Sequence, residues 1–584
     1  MKKNWLSYML VSALLSGALT SCSDSFLDLK DPNHFTEENF WLNKADAESA
    51  LAAAYSPIKY QMNGYYGAFD GWLNLNSRGD DIFTILNEEA SMWDIANFQN
   101  SKTTGNDPFG ALYAGIQRAN VVLKYIDTVP AGSITESDRA MIKGEALFLR
   151  AYQYFLLVTN YGEVPLRLIP SNEDEANKPA SSTEAIWEVI ESDLNTAIND
   201  CDLPVNRSVD EKGRVEKGTA IAVLGKVYAT QHKYNEAKTL LKDLIDSSYA
   251  PFGTPAAGKR YQLMENFADN FTTAKENNAE SVFELQYSSD GDLTWGNESG
   301  INMGSSMAQF IGPAKSGGWA KLMPTAFLVS EFTKEQRGDR PTITIINDKG
   351  EEETVFDPTK EPTSKYDKRI YASMFFTPSE YGDWVSEDNG WYNGKFYGGL
   401  YTMNDLWTGN ASKMAGGAPV FNVSSSGTSS TVGQFLLKKY TAYFVKSKSA
   451  DNMGNKEGKA NNIRVMRFAE VILLYAEACE KTGDTKQANW ALNEIRKRAG
   501  LPEKEFGQGD LMKEIEHQCL LEFFGEGHRF DDLKRWYSTS QISMKFKGND
   551  KQGAANFKEK HKYYPIPAGE LNNNKAMKQN PLWK

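Results

Sequence analysis

Residues 381–401 hold Tyr381, Trp384, Trp391, Tyr392, Phe396, Tyr397 and Tyr401 among Gly, Asn and Asp, with neither a strand nor a helix period that would bury them all. Five of the thirteen tryptophans (Trp295, Trp319, Trp384, Trp391 and Trp407) fall between residues 295 and 407, twice the density of the whole chain. Rings offered in this way stack on apolar faces while nearby amides and carboxylates take hydroxyls, the pattern of a mostly apolar ligand site with a few placed polar groups. That chemistry suits a carbohydrate, and it would also hold a peptide. A second candidate is Asn74-x-Asn76-Ser77-Arg78-Gly79-Asp80-Asp81, followed by Trp93 and Asn97. Taken singly, each tryptophan is as readily a core residue, and Asp80-Asp81 beside Gly79 as readily caps a turn.

Signals for bond-breaking chemistry are poor. The five histidines form no HExxH pair, and the chain has no CxxC, GxSxG, P-loop or GxGxxG. No cofactor is implied. Carboxylates are plentiful, so a hydrolytic Asp/Glu pair and a calcium ion held by oxygens of the Asp/Asn-rich loops stay open as alternatives.

The elements that must position these residues begin after an export segment. Met1-Lys2-Lys3-Asn4 is cationic, residues 5–18 are almost uninterruptedly apolar, and Leu19-Thr20-Ser21-Cys22 follows. The run is shorter than the roughly 20 residues that span a bilayer and matches a cleaved secretory signal over 1–21. Leu-x-Ser-Cys resembles the bacterial lipobox, which makes Cys22 the acylated first residue of the mature chain and 22–35 its tether. One acyl chain anchors marginally, whereas several hold permanently. Beyond Cys22 no apolar stretch approaches membrane length, and the rest reads as a soluble, displayed domain.

Lys and Arg total 64 against 76 Asp and Glu, a net charge of −12, which leaves no basic surface for nucleic acid. After Cys22 three cysteines remain, Cys201, Cys479 and Cys519, too few for a disulfide framework, although one Cys479–Cys519 bridge stays open. A chain of 584 residues exceeds one core. Helical periodicity predicts helices over 45–60, 110–126, 136–160, 183–199, 219–246, 464–481, 485–499 and 511–536. Leu224-Gly225-x-x-Tyr228 with Ala237 and Leu241 fits the tetratricopeptide pattern, and Ala476, Gly483, Ala488 and Leu492 repeat it more loosely. The predicted fold is mainly α. A tetratricopeptide-type scaffold (36–250 and 433–540) carries an inserted loop-rich lobe with short strands (251–432, including a strand near Ser281), and a proline-rich extended tail (541–584) packs over it.

Arg467-Phe-Ala-Glu470, Tyr475-Ala-Glu477-Ala478, Leu492-Asn493-Glu-Ile495-Arg496-x-Arg498-Ala499-Gly500 and Glu522-Phe-Phe-Gly-Glu526-Gly527-His-Arg529-Phe-Asp-Asp532-Leu533-x-Arg535-Trp536 resemble the C-terminal signature of the SusD/RagB family of outer-membrane nutrient-binding lipoproteins. Leu112-Tyr113, Ala119-Asn120, Arg150-Ala151, Tyr154-Phe155 and Tyr161-Gly162-x-Val164-Pro165 resemble its N-terminal helices, and Tyr563 to Pro567 its terminal motif. Where the family usually carries Glu-Arg, this chain has Gln518-Cys519. The charged signature residues recur at helical spacing beside apolar ones, as ion pairs between packed helices do. The resemblance implies a non-catalytic protein, lipid-anchored in the outer membrane and facing the exterior, that captures oligosaccharide for a SusC-like TonB-dependent transporter. It also implies a ligand surface on which Arg78, Asp80, Asp81, Trp93 and Asn97 face Trp295 and Trp319, with Trp391 and Tyr392 as further contacts. A peptide or other nutrient as cargo, and a surface glycoside hydrolase, are the alternatives.

Overall fold

The computed structural model describes residues 40–59, 66, 71–84, 90–104, 108–288, 304–305, 307–312, 321–334, 342–346, 350, 352–356, 367–375, 436–441 and 460–584. Cys22, Trp295, Trp319, Trp391, Tyr392 and the whole aromatic stretch 381–401 lie outside these residues. Numbering helices of six residues or more, the chain runs α1 (Lys44–Lys59), α2 (Trp72–Ser77), α3 (Ala90–Ala96), α4 (Phe109–Tyr125), α5 (Glu136–Tyr161), α6 (Thr183–Asn199), α7 (Lys217–Thr230), α8 (Tyr234–Ser248), α9 (Ala326–Thr333), α10 (Phe468–Lys481), α11 (Thr485–Arg498), α12 (Leu511–Phe523), α13 (Arg529–Trp536), α14 (Thr539–Gly548) and α15 (Ala568–Asn573). Strands of three residues or more are β1 (Ile82–Thr84), β2 (Ser281–Leu285), β3 (Leu322–Pro324), β4 (Thr342–Ile346), β5 (Glu352–Phe356) and β6 (Ile463–Arg467). Among the described residues the fold is mainly helical and its strands form short pairs, including β1 with β3, β2 with β6 and β4 with β5 antiparallel, and the two-residue strand Tyr249–Ala250 parallel to Tyr261–Gln262.

Each long helix packs on the next in the chain from α4 to α8, and α8 then packs on α10, across more than two hundred intervening residues. Amphipathic helices cannot bury their apolar face alone, so neighbours stack into a continuous core. That core reaches from Trp41 to Met577. The helix ends are set locally: the Thr135 hydroxyl accepts from Asp138 N–H at the start of α5, and Ser182 caps α6 in the same way.

Two of the predicted helices are interrupted and a third starts later than predicted. The stretch 219–246 breaks between α7 and α8, where His232 takes φ +61° and the chain reverses. Gly225 permits the close packing of the pair: a Cβ there would stand 2.3 Å from Cδ2 of Leu241 on α8, so any other residue would force Leu241 to shift. The stretch 511–536 breaks between α12 and α13 at Gly525 (φ +74°) and Gly527 (φ +85°). The first residues of 464–481 are not helix but β6, paired with β2 through Ile463–Leu285 and Arg464–Glu284.

Residues 261–287, placed by composition in the inserted lobe, belong physically to the scaffold. Tyr261 and Phe271 are fully buried in its core, and β2 is buried along its length. The C-terminal tail packs on the scaffold, as Tyr564 N–H donating to Asn160 C=O (2.6 Å) illustrates. It is less extended than its prolines suggest, because α14, α15 and several 3-10 turns interrupt it. Cys201, Cys479 and Cys519 are free and buried, so Cys479 and Cys519 act as small core residues and form no bridge.

Gly225→Ala tests the helix contact. Alanine gains about 1 kcal/mol of helix propensity over glycine, but overpacking against Leu241 costs about 1–3 kcal/mol. Net destabilisation is expected in urea titrations. Leu241→Ala should cost less in the Gly225→Ala background than in the parent.

Candidate functional site

A binding surface needs side chains held on a rigid base, and the base around Trp93 is assembled from three distant parts of the chain. On α3, Met92, Ile95 and Ala96 are buried, while Trp93 and Asn97, one helical turn apart, are half-buried together. Asn97 Nδ2 donates to Trp93 C=O at 2.9 Å. Phe98 then takes φ +56° and drives its ring into a small aromatic cluster with Phe530, Phe546 and Phe557. A bulky residue holds such a conformation only where its surroundings over-determine it.

The surroundings include the loop 549–556 after α14. Lys551 Nζ donates to Ala96 C=O (2.9 Å) and Asn556 Nδ2 to Asn97 C=O (3.0 Å), so the exposed end of α3 is tied down from the tail. Gly553, at φ +73°, lies so close that a Cβ would be 2.4 Å from Asn97 Cα. The Gln552 amide accepts from Thr84 N–H (3.0 Å) and donates to Thr84 C=O (3.1 Å), as a strand neighbour would. Thr84 in turn pairs with Leu322 in the β1–β3 ladder, and Leu322 stands three residues after Trp319 in the sequence. Nothing local in the sequence marks 549–556 as part of this surface. Its Gly, Asn and Asp signal only a turn.

Arg78, Asp80 and Asp81 lie beneath this surface, not on it, which corrects the expectation that they face a ligand. All three are at most 2% exposed. Arg78 donates to Asn160 Oδ1 (2.7 Å), and its guanidinium is sandwiched 4.5 Å from the Phe530 ring and 4.4 Å from the Tyr564 ring. Asp80 accepts a two-pronged pair from Arg529 (2.6 and 3.1 Å) and a third bond from Asn549 Nδ2 (2.7 Å). Burial would raise the Asp80 carboxyl, but Arg529 outweighs it and holds it below its ordinary range. Asp81 is the converse. Burial, with Asp80 beside it, pushes its carboxyl up to about 7, and its Oδ1 has no hydrogen-bond partner among the described residues.

The signature carboxylates are equally structural. Arg467 donates to Glu280 (2.5 Å), to Glu522 (2.8 Å) and through two nitrogens to Glu526 (2.8 Å each). Arg498 joins Glu280 and Glu522, Arg369 joins Glu522 and Asp367, and Lys439 joins Glu526. Burial would raise Glu522, yet Arg498, Arg467 and Arg369 hold it well below the usual carboxylate range. Gln518, where the family carries an acid, accepts from Arg369 Nη2 at 2.7 Å. Carboxylates clamped by guanidiniums inside packed helices do not face one another across a substrate cleft. Among the described residues no group of three or more His, Cys, Asp or Glu is placed to hold a metal ion. A separate cavity of about 310 Å³ opens between α5, α6, α7 and α13, and neither Trp93 nor Asn97 lines it.

Asp81→Asn reads out the burial. Between pH 4 and 7 the unfolded chain ionises at this position while the folded protein keeps its proton, so the parent loses stability as pH rises through that window, by at most about 1.4 kcal/mol per pH unit. The melting temperature of the variant minus that of the parent should therefore increase from pH 5 to pH 8. A constant difference would contradict the raised carboxyl.

The SusD family model matches residues 279–583, just over half of the chain. A second model, described as starch-binding associating with outer membrane, matches residues 25–229. A SusD-like protein of Bacteroides ovatus is 25% identical over 293 residues, so that the match spans about half the length of either protein (48% of this chain, 50% of that one). SusD-like protein P38 of Formosa agariphila is 24% identical over 537 residues, 89% of each chain. Among solved structures, a SusD superfamily protein of Bacteroides vulgatus aligns with a TM-score of 0.70 at 24% identity, covering 93% of this chain and all of that one. A laminarin-binding SusD-like protein aligns at 0.68 and 24% identity, with the same coverage. With the buried signature in place and the model spanning the scaffold's C-terminal half, the chain belongs to the SusD family.

Proposed function

We propose that this chain is a carbohydrate-binding lipoprotein of the outer membrane that holds an oligosaccharide on the α3 surface and passes it to a SusC-like TonB-dependent transporter. The observation that carries the site is the Trp93–Asn97 pair: a half-exposed indole and an amide one turn apart, on a helix end locked by Lys551, Gly553 and Asn556. The indole stacks on a sugar face and the amide takes hydroxyls. Trp319 and Trp295 complete the surface from the inserted segment, and Trp391 and Tyr392 extend it. The second matching model, described as starch-binding, and the laminarin-binding structural relative support carbohydrate as cargo. Binding without catalysis accords with the clamped carboxylates of the interior. Acylated Cys22 holds the protein on the membrane, facing outward.

Trp93→Ala and, separately, Trp319→Ala should weaken binding of laminarin oligosaccharides about tenfold, the loss of one stacking ring at roughly 1.4 kcal/mol. Calorimetry with unchanged affinity in both would discard this surface. The melting temperature of Trp93→Ala should stay at the parent value, because its indole is not core. Cys22→Ala should move the protein out of the membrane fraction and abolish incorporation of labelled fatty acid.

A further inference from the structure

The cavity between α5, α6, α7 and α13 takes no part in the proposed carbohydrate surface, and its two walls differ in chemistry. One wall is aromatic. The rings of Tyr152 and Phe155 lie 6.3 Å apart and nearly parallel, Phe155 and Trp187 are 6.1 Å apart, and Trp187 is half-exposed. The other wall is ionic, and each of its carboxylates already has a cation. Asp531 is met by Lys534 at 2.7 Å, Asp532 by Arg535 at 2.8 Å, and Glu526 by Arg467 and Lys439. Lys226, 6.0 Å from the Phe155 ring, is matched by Glu470 outside the lining at 2.7 Å.

One ammonium is left over. Lys562, from the C-terminal tail, lines the cavity and has no hydrogen bond or ion pair among the described residues. Burial, with Arg78 and Lys562 adding to it, brings the neighbouring Lys534 ammonium down to about 8 although Asp531 is in contact. Lys562 is therefore the lining cation that no carboxylate contacts among the described residues, while Arg535 serves Glu477 as well as Asp532. A ligand that completes it brings a single negative charge, a flat face for the aromatic wall and hydroxyls for the ionic one. A cavity of about 310 Å³ is near the lower bound for small-molecule sites, the size of one substituted ring. Inorganic phosphate lacks the apolar body, and a fatty acid would lay its chain against ion pairs.

We propose that this cavity is a second binding site, for a single hydroxylated ring bearing one carboxylate, the chemistry of a hexuronic acid. Lys562 receives the carboxylate and the Tyr152–Phe155–Trp187 shelf receives the ring. The ligand joins the C-terminal tail to the helical scaffold, so occupancy stabilises the folded protein.

The test is titration calorimetry and thermal unfolding of the purified full chain with D-glucuronate and D-galacturonate, against D-glucose, benzoate and inorganic phosphate. One uronate should bind per chain, raise the melting temperature, and bind at least tenfold more tightly than glucose. Lys562→Met, at a partly exposed position, should erase that preference while leaving weak glucose binding in place, and Trp187→Ala should weaken both sugars. Trp93→Ala should leave uronate binding at its parent affinity, which separates this site from the α3 surface. The proposal is overturned by an absence of saturable uronate binding, by equal affinity for glucose, by phosphate or benzoate binding as tightly as uronate, or by a Lys562→Met variant that keeps the preference. Loss of uronate binding in Trp93→Ala would likewise overturn it, by moving the acid to the other surface.

Discussion

Arg467 donates to three carboxylates at once from a position 1% exposed, and this arrangement gathers segments that are hundreds of residues apart. Glu280 precedes β2, Arg498 ends α11, Glu522 lies at the end of α12 and Glu526 in the turn after it, and Asp367–Arg369 and Lys439 come from the intervening region. Arg467, Arg498, Arg369 and Lys439 balance Glu280, Glu522, Glu526 and Asp367 one for one. That neutrality is what lets so many charges share a dry interior, since removing one partner of a buried pair strands the other at a cost of about 3–5 kcal/mol. The aromatic floor beneath it, where Arg498 lies 4.7 Å from the Phe267 ring and Lys439 4.8 Å from Phe271, leaves little room for water to compensate. The strand pair β2–β6 and the break between α12 and α13 are both consequences, because each brings a charged residue to this point.

A second, smaller version of the same device sits under the candidate carbohydrate surface. Arg529 follows directly on the turn at Gly525 and Gly527 and reaches Asp80, while Arg78 is held between Phe530 and Tyr564. The N-terminal loop, α13 and the tail are thus cross-linked by charge behind Trp93. Recognition by stacking rewards such rigidity, because an indole fixed before the ligand arrives loses little freedom on binding. The tail thus forms part of the base under the candidate surface, although it is more than four hundred residues from Trp93 in the chain.

The two interiors also explain why an abundance of acids does not amount to catalysis. Glu470 is held low by Lys226, Glu516 by Arg529, and Glu522 by three arginines, so each is ionised and committed. Burial raises others, but Asp81 is enclosed under β1 and β3, where Thr325 N–H donates to its backbone carbonyl, Glu276 accepts from Asn462 N–H (2.8 Å), and Asp193 is held by Arg150.

Helices as long and regular as Glu136–Tyr161 were legible from the sequence because a 3.6-residue period repeats over many turns, and Ser281–Leu285 was legible as a short apolar run. The Leu224-Gly225 pattern announced its helix pair because the close approach to Leu241 demands a residue without a side chain. The C-terminal signature identified the family for the related reason that buried ion pairs tolerate few substitutes; even Gln518 keeps the acceptor that Arg369 needs. Trp93 and Asn97 were candidates alongside the polar loop, but their place one turn apart at the end of α3 came only with the structure. Burial of Arg78, Asp80 and Asp81 was not, since a polar loop looks the same whether water or a distant arginine satisfies it. Nor was the role of Lys551, Gln552 and Gly553, whose partners lie at Ala96, Thr84 and Asn97. Local periodicity is written in consecutive residues, so the sequence alone determined the scaffold. Which charges face solvent and which lock the core depends on partners brought from elsewhere in the chain, and only the tertiary structure decided that.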